Sequence, residues 1–329
     1  MAIAEQAFSP KEWKVALVSD ASNAGDTGIG TTMLQLDVDS IGMPSLNPNQ
    51  VVDIRSGVGR TFKDEDFFQD NKMRVAEISL SGTMHLDAGH KLLLQNICND
   101  VSTDISVATG FTPASQIYGA SLTNVASSLT LVMQPSDVTN QQGMEFFGCV
   151  VTSFTLSADA TTEGGRYKFS ATLQTGKVPD LASTAEPTIT PYANTTDVFL
   201  SSASGIKVFG TDSIMQSFST TIENPAVFTG FSSTGYQVVS RGAEIAVTAE
   251  STVKYDANTK GLINTFDTQT SALAGNSLVI TNNNAYGVLI DNAVLTDVSL
   301  NEGDIMMLNV AMKSVDDGTD ALITFDVSS

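Results

Sequence analysis

At 329 residues the chain is long enough for two compact domains, each with a core of its own. Only 16% of residues are charged, yet 36 acidic against 16 basic side chains leave a net charge of −20. That balance argues against a role in gripping DNA or anionic membrane, because phosphates are held by Lys and Arg that displace counterions. No apolar run reaches the roughly eighteen residues a membrane helix needs. Met1 to Pro10 has neither a basic nor an apolar leader segment, so a soluble protein made in the cytosol is expected.

In chain order, Trp13 to Val18 reads as a strand, and so does Met33 to Ile41, where Leu34, Leu36 and Val38 alternate with Gln35, Asp37 and Asp39. Residues 43–72 hold Pro44, Pro48, Gly57 and Gly59 and then an acidic and aromatic run. They read as a long irregular insertion, of a length that is usually functional. Val75 to Met84 alternates as a strand. Asp87 then caps a short helix whose Leu94, Ile97 and Cys98 share an apolar face. Residues 99–128 are weakly patterned and read as a second insertion. Leu129 to Met133, Met144 to Ser157 and Tyr167 to Leu173 close the first half as strands, with Gly164-Gly165 in the last turn.

Residues 179–204, rich in Pro, Ser, Thr and Ala, read as a linker between modules 1–178 and 205–329. In the second half the expected strands are Met215 to Ile222, Tyr236 to Val239, Glu244 to Tyr255, Leu278 to Thr281, Ala285 to Leu300, Ile305 to Lys313 and Ala321 to Val327. A helix from Ala257 to Thr268 has Leu262, Ile263 and Phe266 as its buried stripe. The two halves share words in the same order. Arg74-Val75-Ala76-Glu77-Ile78 returns 167 residues later as Arg241-Gly242-Ala243-Glu244-Ile245, and Asp87-Ala88-Gly89-His90-Lys91 returns 169 later as Asp256-Ala257-Asn258-Thr259-Lys260. A third pair sets Cys149 to Leu156 against Ala293 to Leu300, offset by 144. The pattern is that of a tandem duplication with unequal insertions, each module mainly antiparallel β with one flanking helix, a sandwich or partly open barrel.

Catalytic chemistry is hard to assemble from these residues. His85 and His90 have no third ligand spaced for a transition metal, and Asp87 with a solvated His90 reads as a helix cap. Asp26-Thr27-Gly28 resembles half of an aspartic-protease pair, and the partner is missing. Asp64-Glu65-Asp66 and Asp316-Asp317 lack the alternating ligands of a calcium loop. Asn194-Thr195-Thr196 matches the glycosylation triplet and means nothing without secretion. Cys98 and Cys149 fall on a helix and a strand and read as buried free thiols. No catalytic, cofactor or metal residue is assigned.

The stretch Phe146 through Gly148-Cys149-Val150-Val151-Thr152-Ser153-Phe154-Thr155-Leu156-Ser157, followed by a Gly-bearing turn and Tyr167 to Lys177, resembles the tail tube proteins of long-tailed bacteriophages. Ser217-Phe218-Ser219-Thr220-Thr221-Ile222-Glu223-Asn224-Pro225 and Arg241 to Ile245 resemble the same family in the second half. The resemblance implies a β-sandwich with a flanking helix, self-assembling into stacked rings that form the conduit for DNA delivery in the virion. It implies partners that are other copies of the chain and, at the tube ends, other tail proteins. DNA would pass without specific binding, and no membrane or cofactor is involved. Six equivalent domains per ring would make a duplicated chain trimeric with pseudo-sixfold symmetry. A decoration or fibre protein, and a β-sandwich hydrolase using Asp26, are the alternatives. Arg55, Arg60, Asp64, Glu65, Asp66, Phe67 and Phe68 are candidates for contact between rings, and Asp37, Asp39 and Glu77 for a lumen wall that repels DNA.

Overall fold

A computed structural model of the chain describes residues 12–20, 32–44, 49–52, 67–70, 75–98, 116–120, 128–135, 143–177, 179, 187–192, 197–231, 237–242, 244–273, 275–282 and 286–327. The expected mainly β architecture is present as two large sheets and two helices, with no closed barrel.

The first half contributes β1 (Trp13–Ser19), β2 (Thr32–Gln35), β3 (Val38–Gly42), the hairpin β4 (Asn49–Val52) and β5 (Phe67–Asp70), β6 (Ala76–Thr83) and α1 (Ala88–Cys98). It continues with β7 (Gln116–Gly119), β8 (Leu129–Pro135), β9 (Met144–Asp159), β10 (Lys168–Thr175) and β11 (Thr188–Thr190). The second half contributes β12 (Gly205–Val208), β13 (Thr211–Asp212), β14 (Met215–Glu223), the hairpin β15 (Ala226–Phe231) and β16 (Gln237–Arg241), and β17 (Ala246–Lys254). After α2 (Gly261–Thr268) come β18 (Leu278–Asn282), β19 (Tyr286–Ile290), β20 (Ala293–Glu302), β21 (Met306–Ser314) and β22 (Thr324–Val327).

One antiparallel run orders the strands β3-β6-β10-β9-β14-β17-β21-β20. Its register follows from strict alternation. Phe154, Leu156, Ala171, Leu173, Ile222, Val247, Ala249, Val310 and Met312 turn to one side and are buried, while Ser, Thr and a few charged residues between them turn to the other. β9 has 16 residues and joins two branches of the larger sheet. Its first part pairs with β8, which continues through β1 and β2 to β11, and its second part lies between β10 and β14. The second large sheet, β13-β12-β18-β19-β22-β7, takes its last strand from the first half of the chain. Buried apolar residues of both halves form one contiguous cluster, in which Phe154 meets Phe325 edge-on at 6.5 Å and Tyr167 meets Phe218 at 5.1 Å.

Several sequence expectations need correction. The strand expected over Met33 to Ile41 breaks at Leu36–Asp37, because Leu36 turns into the core and the two pieces take different partners in the larger sheet, β2 with β1 and β3 with β6. The strand expected over Ala285 to Leu300 breaks likewise at Asp291–Asn292. The first insertion contains the β4–β5 hairpin rather than irregular chain throughout, and β7 lies in the second. The stretch read as a plain linker is tied down by β11, by a 3-10 turn at Leu200–Ser202 and by bridges from Asp197 to His85 and Phe199 to Arg166. On α2 only Leu262 is buried. Ile263 and Phe266, expected in the same stripe, are 36% and 38% exposed, since β20 is the one strand packed closely along that helix.

Candidate functional site

The open face of the β3-to-β20 run is the most distinctive surface of the molecule. Residues whose side chains share it include Ser79, Ser81, Ser170, Thr172, Ser153, Thr155, Ser157, Ser217, Ser219, Thr221, Thr248, Thr252, Asn309 and Ser299. Hydroxyls meet across strands, with Thr155 Oγ1 and Thr221 Oγ1 2.9 Å apart and Thr252 Oγ1 donating to Asn309 Oδ1 at 3.1 Å. A groove of about 740 Å³ runs over it, floored by Ser157, Ser219, Glu250, Thr252, Ser299 and Asn309. The carboxylates Glu77, Glu223, Glu250 and Asp297 share the face with Lys168, Lys254 and Lys313. Lys168 Nζ stands 3.1 Å from Asp39 and 3.1 Å from Glu163, and Lys313 Nζ stands 3.7 Å from Glu244, so the charge of these two lysines is locally matched. The ammonium of Lys168 is held above its ordinary range: burial pulls it down, and the hydrogen bonds and charges of Asp39 and Glu163 outweigh that.

The three residues named for a lumen wall occupy different settings. Glu77 is exposed on the polar face and accepts from Gln174 Nε2 at 3.0 Å. Asp39 is exposed at the bulge where β3 meets β6 and pairs with Lys168. Asp37 turns inward to His85 at 2.8 Å. Of the residues named for ring-to-ring contact, Phe67 and Phe68 lie on β5, paired with Val52 and Val51. Arg55, Arg60, Asp64, Glu65 and Asp66 lie outside the described residues, as do Arg74, Asp26-Thr27-Gly28 and Asn194-Thr195-Thr196. Lys168 and Glu250 were not singled out from sequence. The alternating hydroxyls of Ser153-Phe154-Thr155-Leu156-Ser157 and of Ser217 to Thr221 were the signal that marks their face.

The sheet run ends at two strands, β3 and β20, each paired on one side only among the described strands. Exposure along β20 is the consequence: Leu300 is 44% exposed, whereas Leu156 on β9, 144 positions earlier and flanked on both sides, is 3% exposed. The β9–β14 junction is closed by Arg241. Its guanidinium donates to the carbonyls of Val151 at 2.7 Å, of Asn224 and of Asn96 at 3.2 Å, and to Asn96 Oδ1 at 3.1 Å. Burial draws that guanidinium down to about 10, which leaves it charged at neutral pH.

His90 is not solvated, as its place beside a helix cap had suggested. Both His85 and His90 are fully buried where β2, β3 and α1 meet. The backbone N–H of Asp37 donates to His90 Nε2 at 3.3 Å, which assigns the proton to Nδ1, and Nδ1 donates to Asp87 Oδ1 at 2.7 Å. His85 Nε2 donates to Asp37 Oδ2 at 2.8 Å. Its Nδ1 lies 2.7 Å from Asp197 Oδ1 without hydrogen-bond geometry. Asp197 in turn accepts from Arg166 at 2.6 Å. This network ties the linker to the β2–β3 corner and offers no open coordination site. Asp316 and Asp317 accept backbone N–H groups of Gly318, Thr319 and Asp320 and so cap their own turn. Among the described residues no cluster of three His, Cys, Asp or Glu side chains could hold a metal ion, and no helix is long and apolar enough to cross a membrane.

The sequence matches the family described as phage tail tube protein over residues 23–327. No curated protein sequence matches. Among solved structures, a chain of the virion of a native gene transfer agent particle is similar at 12% identity, covering 42% of this chain and 92% of that one with a TM-score of 0.24. The family match alone spans nearly the whole chain: it belongs to the phage tail tube protein family and is a structural component of the virion tail that assembles into a tube, not an enzyme.

Proposed function

We propose that three copies of this chain close into each ring of the tube, every copy supplying two duplicated modules. The observation that carries the proposal is the sheet order. β3-β6-β10-β9 of the first half is followed by β14-β17-β21-β20 of the second, and the repeated words lead into β6 and β17, into α1 and α2, and run along β9 and β20. Each half thus lays its strands in the same order. β9 pairs with β14 inside the chain, and the same head-to-tail step from β20 of one copy to β3 of the next uses the two open edges. Three copies would carry twenty-four strands. At about 4.8 Å per strand they span a circumference of about 115 Å, widened further by strand tilt, with room inside for a duplex.

The hydroxyl face becomes the lumen wall in this reading, since the opposite face is the core. Duplex DNA carries a phosphate charge about every 1.7 Å of axis. A wall of neutral hydroxyls, matched lysines and spare carboxylates such as Glu77 and Glu250 gives it little to bind. The β4–β5 and β15–β16 hairpins both leave the sheet between the first and second strands of their half and reach the neighbouring ring, with other tail proteins meeting them at the tube ends. Synthesis in the host cytoplasm precedes this assembly. Native mass spectrometry of rings released from tubes is expected to give three chains; six would overturn the duplicated-ring reading.

A further inference from the structure

We infer that the exposed Ile263–Phe266 face of α2 receives the Met43–Pro44 corner of a second copy of the chain. The inference rests on the three-chain ring and deepens it. Its template is inside the molecule. At the end of α1, the corner that follows β14 closes down: Asn224 Nδ2 donates to the carbonyl of Ile97 at 2.9 Å, and Arg241 reaches Asn96 beside it. There Leu93, Leu94 and Ile97 are buried.

The offset of 169 that aligns Asp87 with Asp256 sets Leu93, Leu94 and Ile97 against Leu262, Ile263 and Phe266. In α2 the last two are 36% and 38% exposed. The helix ends correspond in bonding as well. Asn96 Oδ1 accepts from the N–H of Val151, and Gln269 Oε1 accepts from the N–H of Leu295, 144 positions later on β20. So α2 presents the same end as α1 with no corner bonded to it, and its apolar stripe is the more open because β20 alone packs closely along it among the described strands, whereas β1, β7 and β2 also pack against α1.

The missing cover has a counterpart on the free edge at the other end of the sheet. Gly42 pairs with Ser79 on β6, and Glu223 pairs with Ala246 on β17, which the repeat offset of 167 makes equivalent positions. The next residues are Met43-Pro44 in one half and Asn224-Pro225 in the other. Met43 is 51% exposed. The chemistry is complementary. Asn224 meets a backbone carbonyl on α1, whereas Met43 is a flexible thioether suited to an aromatic and a branched aliphatic side chain. Burying Met43 against Phe266 while β3 joins β20 would use the apolar surface left open at both ends of the chain.

The test uses the full-length protein with Met43→Asp and Phe266→Asp, both at exposed positions, so that melting curves close to wild type confirm folding. Each variant alone is expected to need at least about tenfold more protein than wild type to form rings, the effect of losing roughly 1.4 kcal/mol per contact. Met43→Leu is expected to assemble normally. Folded Phe266→Asp or Met43→Asp that assembles at the wild-type threshold overturns the inference while leaving the ring intact. Wild-type protein that forms no three-chain rings overturns the ring reading as well.

Discussion

Gly82 lies so close beneath the carbonyl of Asp37 that a Cβ there would sit 1.9 Å from its oxygen. This contact lets the β2–β3 corner fold over β6, with the N–H of Thr83 donating to the same carbonyl at 3.1 Å. The clash would be with backbone, which cannot rotate away. Gly82→Ala is therefore expected to cost about 1–3 kcal/mol or more, as overpacking does. Denaturant unfolding that shows no loss of stability would contradict this account of the corner.

Acid should loosen the same region. Burial alone would raise the carboxyl of Asp87, but hydrogen bonds from the ring and backbone of His90 outweigh it and hold it below its usual 3.8. A depressed folded value means stabilisation that is full above the unfolded value and is lost as pH falls through the folded one. Asp87→Asn should accordingly flatten the dependence of stability on pH below about 4. Asp87→Ala should cost about 0.5–2 kcal/mol at neutral pH through the lost helix cap. Equal acid slopes for wild type and Asp87→Asn would assign the acid limb to other carboxylates.

The two thiols should be inert in the folded chain. Cys98 and Cys149 are both buried and outside any disulfide, and burial pushes the Cys149 thiol far above its ordinary range. A thiol reagent at neutral pH is expected to modify neither residue until denaturant is added. Fast labelling of Cys149 in native protein would show that the β8–β9 region opens.

Reversing charge on the proposed wall should separate assembly from conduction. Glu77→Lys with Glu250→Lys alters two exposed positions on the polar face. Tubes should form as before, while DNA passage slows and the delay shrinks with added salt, because new cations exchange counterions with phosphate. Particles carrying this variant that deliver DNA at the wild-type rate would move the wall elsewhere.

Deleting residues 53–66, between β4 and β5, should leave folded protein that forms rings but stacks poorly into tubes. Electron micrographs showing full-length tubes from this variant would make the segment a cover for its own subunit instead of a contact between rings.

Much of this protein was legible in the sequence because alternation and repetition are local. The hydroxyl and apolar sides of β9 and β14 follow from a period of two, and the repeated words placed both helices, the first with its Asp87 cap. Their order also placed the strands that later proved to share one sheet. What local pattern could not supply was the partner of each element. Whether Leu156 or Leu300 is buried depends on the strand beside it, and β14 flanks only the first. His90 is buried because a corner formed by Asp37 closes over it, and Ile263 stays exposed because, among the described strands, β20 packs closely along α2 whereas β9, β1, β7 and β2 pack against α1. Asp37 faces inward although its alternation looked solvated, since the strand breaks there to pass from β1 as partner to β6. Those outcomes are set by contacts between residues tens to more than a hundred positions apart, so only the tertiary structure decided them.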